Sequence, residues 1–111
     1  MISKNNRITK DKEFEKIFKT GRSSYNKTTG MKASSNDLGV SRVGIIVSNK
    51  VSKSAVIRNK IKRRIRYVME KKIKEIKNKD IVIITFPATV EKSFDEIKQS
   101  IEENLEKLRL F

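Results

Sequence analysis

The chain contains no cysteine and no histidine. Without thiols it can form neither a disulfide framework nor a thiolate metal site, which fits a reducing compartment. The missing imidazole also removes the usual transition-metal ligand and the side chain most often used as a general base near neutral pH. Apolar runs are short, none approaching the roughly 18 residues of a membrane span, and the N-terminus is polar and basic with no apolar signal-type segment. The sequence therefore reads as soluble and cytoplasmic, with no membrane association expected. At 111 residues and 36% hydrophobic content it is expected to form one domain, residues 1–111, with room for a single core. No repeat, low-complexity tract or linker divides it.

Acid is scarce where base is dense. The net charge is +14, which narrows the partners to nucleic acid, an anionic surface or an acidic protein. Residues 1–78 carry 22 Lys and Arg against 6 Asp and Glu, whereas residues 79–111 carry 5 against 7. Within Lys50–Arg66 the eight cations Lys50, Lys53, Arg58, Lys60, Lys62, Arg63, Arg64 and Arg66 fall in seventeen residues with no acid at all. A solvated helix face usually mixes charge signs at i, i+4 spacing, and this one does not.

Periodicity supplies the elements. Phe14, Ile17 and Phe18 space as one face of a short helix over Lys10–Lys19, with Gly21 suited to ending it in the left-handed conformation. Polar, β-tolerant residues from Ser23 to Ser34 are followed by turn residues Ser35, Asn36, Asp37 and Gly39, and then by Val43, Ile45, Ile46 and Val47. These read as a hairpin whose second strand is the more buried. A long helix runs from about Ala55 to Lys77, capped by Ser52 or Ser54 and ended by Asn78 and Lys79. Its apolar face is Ile57, Ile61, Ile65, Val68, Met69, Ile73 and Ile76. Asp80–Phe86 is a continuous apolar run, too short for a helix and bounded by Pro87: a buried strand. Ser93 and Glu96 form a capping box ahead of a last amphipathic helix through Phe94, Ile97, Ile101, Leu105 and Leu108. Apolar strands on either side of the long helix predict a parallel pair bridged by it, hence an α+β fold with helices packed on a small mixed sheet.

On the long helix, Lys62 and Arg66 border the apolar stripe, with Asn59, Arg63 and Glu70 beyond them; Lys60, Arg64 and Lys71 face fully away. Cations in a first helical turn oppose the helix dipole at up to about 1 kcal/mol each. Arg58 and its neighbours are thus placed against folding preference, and with the helix N-terminal N–H groups they make a phosphate site.

The run Arg58-Asn59-Lys60-Ile61-Lys62-Arg63-Arg64-Ile65-Arg66, preceded by Lys50 and by Ala55-Val56, resembles the signature helix of the bacterial ribonuclease P protein family. Asn6-Arg7-Ile8 with Glu13-Phe14 and Phe18-Lys19 is similar to that family's N-terminal helix, Arg42-Val43-Gly44-Ile45 to its pre-helix strand and Asp80–Ile84 to its late strand. Nearly the whole chain is covered.

The resemblance implies an α-β-β(-β)-α-β-α order with a left-handed crossover joining the parallel strands, where the general rule favours a right-handed one. It also implies a protein cofactor subunit of ribonuclease P. In that enzyme the RNA subunit cleaves precursor tRNA using Mg²⁺ held mainly by the RNA, with no organic cofactor and no obligate protein partner. Arg58, Asn59, Lys60, Lys62, Arg63, Arg64 and Arg66 would bind the catalytic RNA, and Arg7, Phe14, Phe18, Lys32, Lys50 and Lys53 the single-stranded 5′ leader of precursor tRNA. Three positions depart from the family pattern. Thr29 and Lys32 stand where the family tends to carry aromatics, with Tyr25 nearby but out of register, and Ser52 stands in place of the usual Gly.

Spacing alone leaves core packing open for Ile17 and Phe18, whereas base stacking suits aromatics at i, i+4 near a basic surface. A structural RNA-binding protein, such as a ribosomal protein, would share the charge, the size and the absence of His and Cys. A helix-in-groove DNA binder lacks support, since no helix-turn-helix pairing or dimer heptad is present. Autonomous two-metal catalysis would need clustered carboxylates, and the nearest group, Asp11, Glu13 and Glu15, alternates around a helix.

Overall fold

The computed structural model describes residues 2–110. After a 3-10 turn at Lys4–Asn6 come helix α1 (Asp11–Thr20) and strands β1 (Arg22–Tyr25), β2 (Thr29–Ser35) and β3 (Arg42–Ile46). Helix α2 (Ala55–Lys72), strand β4 (Lys79–Thr85) and helix α3 (Phe94–Lys107) complete the order. The sheet order is β1-β2-β4-β3. Strand β4 is antiparallel to β2 and parallel to β3, so α2 bridges a parallel pair as expected.

The expected hairpin is corrected. It lies within residues 22–35, where β1 pairs with β2 around a turn held by Asn26, whose side-chain oxygen accepts the N–H groups of Thr28 and Thr29. The 43–47 segment does not pair with β2, because β4 occupies the slot between them. Ile81, Val82 and Ile83 are fully buried, which requires partners on both edges of β4 and cover on both its faces. The turn residues at 35–39 instead carry the chain across the start of β4, with Asn36 N–H donating to the Asn78 carbonyl and Gly39 N–H to the Asn78 side chain. Burial is likewise reversed: β2 is an interior strand with Thr29, Gly30, Met31 and Ala33 buried, and β3 is an edge strand.

Alternation along the strands divides the core. Met31, Ala33, Val43, Ile81 and Ile83 face α2 and α3, meeting Ile61, Ile65, Met69, Ile97, Ile101 and Leu105. Val82 faces the other way, against Ile17 of α1 and Ile8. A polar cluster sits inside the larger side: Asn104 is fully buried, donating to the Thr29 carbonyl and hydroxyl and accepting from Ser24, while Ser100 bonds Thr29 and Asn26. Every hydrogen-bonding group of this cluster is spoken for, which allows it to be dry.

Three helix details differ from expectation. Gly21 follows α1 at φ −76°, ψ 152°, extended rather than left-handed, because Arg22 starts β1 with no intervening loop. Helix α2 ends at Lys72 and tightens into a 3-10 turn at Ile73–Glu75, after which Asn78 takes the left-handed conformation at φ 56°, one that asparagine tolerates. Ile57, read as part of the apolar face, is 38% exposed, since the first turn of α2 projects beyond the sheet. Ser54 is the cap, accepting from Ile57 N–H, and the capping box of Ser93 and Glu96 forms as expected.

Arg42 ties α1, β3 and β4 together. Its guanidinium donates to both oxygens of Asp80, at 2.9 and 2.8 Å, and pairs with Glu13. That hydrogen bond holds the Glu13 carboxyl below its ordinary value. At Asp80 burial pushes upward, but the hydrogen bonds from Arg42 and Asn36 outweigh it, and the net direction is down. A carboxyl depressed by folding contributes stability that is complete above its unfolded pKa, about 4, and is lost as pH falls through the folded value. Thermal melts should therefore hold steady down to about pH 5 and drop below about pH 4, with a blunted drop in Arg42→Gln. An acid limb unaltered by that substitution would separate the network from acid stability.

Candidate nucleic-acid interface

Helix α2 lies on the sheet by its isoleucine row from Ile61 on, and what it leaves outside carries Lys60, Arg63, Arg66 and Lys71 interspersed with Val56, Asn59 and Tyr67. Its first turn contains no acidic residue, so nothing local offsets the dipole there. Asn59, Lys60, Arg63 and Arg66 are exposed and Lys62 is half-buried. Among the described residues none of these five side chains has a hydrogen-bond or ion-pair partner within the protein. Two cations behave differently. Arg58 donates to the Ser52 carbonyl at 2.8 Å, which ties the loop before α2 to the helix start. Arg64, expected to face fully away, is half-buried and reaches the Lys92 carbonyl at 3.4 Å, because the turn ahead of α3 comes up against that side of α2. Lys71 lines a hollow with Phe94 and Lys98 of α3, whereas Arg63 and Arg66 lie on the other side of α2.

That side meets the N-terminal segment. Arg63 and Arg66 share a hollow with Ile2, Arg7, Tyr67 and Glu70, and a second hollow continues from Arg7 and Arg66 to Phe14, Val43 and Gly44. Arg7 is held there by a parallel bridge to Val43, reinforced by Ile8 N–H donating to the Val43 carbonyl. The two residue groups drawn from the sequence, one for each nucleic-acid partner, are thus contiguous across Arg7 and Arg66.

Helix α1 covers only part of its sheet face. Ile17 is buried against Val82, which resolves its role as core. Phe14 is half-buried over Gly44, where even a Cβ would meet its ring at 2.5 Å. Phe18 is 37% exposed, with the Lys32 ammonium 5.6 Å from its ring centroid and hydrogen-bonded to its carbonyl. Phe14 and Phe18 form a wall above a floor of Ile46 and Ile84, both only half-buried. Lys50 and Lys53 are exposed on the loop that follows β3 at the far end of this floor.

Among the described residues no group of three or more Asp, Glu, His or Cys side chains is placed to hold a metal ion. Glu13, part of the nearest run of acids, is occupied by Arg42. These donors do not fit a protein-held Mg²⁺ site. No helix of the described residues is long and apolar enough to cross a membrane.

Comparison with known proteins agrees with this geometry. Residues 2–109 match the Ribonuclease P family model. The ribonuclease P protein component of Bacillus velezensis is 34% identical, covering 99% of this chain and 95% of that protein. That of Clostridium botulinum is 33% identical, covering 97% and 98%. The solved RNase P protein of Staphylococcus aureus superposes with a TM-score of 0.87 at 33% identity, over 96% of this chain and 97% of that one. The Thermotoga maritima RNase P protein superposes at 0.78 and 28% identity, over 87% and 92%. Matched along nearly its whole length in sequence and in fold, the chain belongs to the ribonuclease P protein family of bacterial type.

Proposed function

We propose that this chain is the protein subunit of a ribonuclease P. It binds the catalytic RNA through the free face of α2 and holds the single-stranded 5′ leader of precursor tRNA in the cleft walled by Phe14 and Phe18. In this way it promotes Mg²⁺-dependent endonucleolytic removal of the leader in the cytoplasm. The observation that carries this reading is the continuity of two surfaces: an unneutralised cation row that suits a folded polyanion, and an aromatic-walled groove that suits unpaired bases, joined at Arg7 and Arg66.

The division of labour follows from the side chains. With no carboxylate cluster among the described residues, the protein leaves metal and hydrolysis to the RNA, whose phosphates hold Mg²⁺. Its own contribution is positioning: one rigid body that grips both the RNA subunit and the leader makes their encounter effectively intramolecular. Cations of the α2 face lower the Mg²⁺ needed to fold and dock the RNAs by replacing part of the counterion atmosphere.

The test adds protein to its cognate catalytic RNA and precursor tRNA at low Mg²⁺. Cleavage and affinity for leader-bearing substrate over mature tRNA should both rise, and protein with Mg²⁺ but no RNA subunit should leave the substrate intact. Cleavage by protein alone, or no gain on adding it, would overturn the assignment, the second outcome favouring a structural RNA-binding role.

A further inference from the structure

At the end of the cleft away from α1, two aromatic rings belong to neither hydrophobic core. Tyr25 ends β1 and is 48% exposed, and Phe86 follows β4, half-buried, with ring centroids 6.3 Å apart and planes inclined by 39°. Both lie over Gly30, where a Cβ would come within 2.4 Å of the Tyr25 ring and 3.2 Å of Phe86. Only glycine leaves room for a ring to lie flat on β2 at this point.

The register places the pair on the cleft side. Gly30 pairs with Ile84 on one edge and with Tyr25 on the other, and Lys32 lies two residues along β2 on the same face, roughly 7 Å away by strand rise. The mount is rigid: Phe86 N–H donates to the Thr28 carbonyl, which also accepts from the Thr89 hydroxyl, and Asn26 fixes the turn between β1 and β2. Lys27 stands exposed in that turn. Ile46, which leads into the loop bearing Lys50 and Lys53, is in register with Ile84, the strand neighbour of Gly30.

From this juxtaposition we infer that Tyr25 and Phe86, seated on Gly30, form a nucleobase-stacking subsite that takes an unpaired base of the precursor tRNA leader beyond those facing Phe14 and Phe18. The inference rests on the proposed function. Stacking accepts any base, because every base offers a π-face, and the flanking lysines hold the backbone. The subsite puts an aromatic surface on β1 of a chain whose β2 offers Lys32 toward the cleft.

Precursor tRNA carrying 2-aminopurine at successive leader positions, bound to the reconstituted protein–RNA complex, reports a stacked base by quenching. One leader position should be quenched with wild-type protein and released in Tyr25→Ala, with affinity for leader-bearing substrate reduced roughly 5- to 100-fold, the span expected for losing one base–aromatic stack. Tyr25→Phe should keep both signals. Tyr25→Leu, which still covers Gly30 but has no π-face, should lose them, so destabilisation by the alanine variant cannot decide the outcome. Quenching and affinity unchanged in Tyr25→Leu would overturn the subsite while the wild-type preference for leader-bearing substrate stands. A wild-type complex without that preference would instead overturn the proposed function.

Discussion

The double substitution Arg63→Ala, Arg66→Ala should weaken binding of the catalytic RNA by about 100-fold at moderate salt, taking about 1.5 kcal/mol for each lost charge-assisted phosphate contact. It should also flatten the dependence of log K on log salt by about 1.4 to 1.8, that is, 0.7 to 0.9 for each contact. Both side chains are exposed and unpartnered among the described residues. Their loss therefore removes no internal hydrogen bond or ion pair, and thermal stability should hold or rise slightly as self-repulsion eases. The measurement is a titration of RNA subunit over a salt series, paired with a melt. A weaker complex with an unchanged slope would mean that the two arginines act through shape rather than through phosphate charge.

Asn104→Leu should cost about 3 kcal/mol of stability and lower the melting temperature by roughly 10–20 °C. Leucine fills the volume but orphans the buried Ser24 hydroxyl and removes one hydrogen bond each from the Thr29 carbonyl and hydroxyl, which keep only Asn26 N–H and Ser100. Each orphaned buried group costs about 1–3 kcal/mol. Because the network joins α3 to β1 and β2, loosening it should also raise amide exchange in the turn under Tyr25 and Phe86 before the sheet opens globally. Urea melts with exchange measurements check both points, and an Asn104→Leu protein as stable as wild type would show that Ser24 and Thr29 find other partners.

How far the sequence disclosed this molecule depends on the range of the interactions concerned. The buried strand read at Asp80–Phe86, found at Lys79–Thr85, the capping box at Ser93 and Glu96, and the apolar row of α2 from Ile61 to Met69 are local signals. Each forms within a residue of where the sequence indicates; only the ends of the row, Ile57 exposed and Ile73 and Ile76 beyond the helix, depart. Pairing of strands is not local. Nothing within residues 23–47 says that a strand more than thirty residues later will separate β2 from β3, so the turn at 35–39 read as a hairpin loop when it is a bridge over β4. Arg64, on the outer side of the helical wheel, is half-buried against Lys92, because the position of the turn ahead of α3 is tertiary information. The buried role of Asn104 is hidden for a related reason. It falls beside Ile101 and Leu105 on the apolar face of α3, and a polar residue on such a face is the available hint of a buried network. Tyr25 was visible as an aromatic near the cleft, but its seat on Gly30 and its partner Phe86 emerge only once β1, β2 and β4 are set side by side.

The placement of β4 bears on how the chain is made. Strands β2 and β3 both precede it in sequence, yet each pairs with β4 and not with the other. A nascent chain that has emerged only as far as α2 holds two strand edges waiting for a third strand, and it carries 20 of the protein's 27 lysines and arginines against 5 acids. Closure of the sheet then waits on residues 79–85, a long-range pairing that is slow in itself. During that interval a polyanion already within reach would screen the repulsion among the cations of α2, so that an RNA can assist the birth of the fold that later grips it.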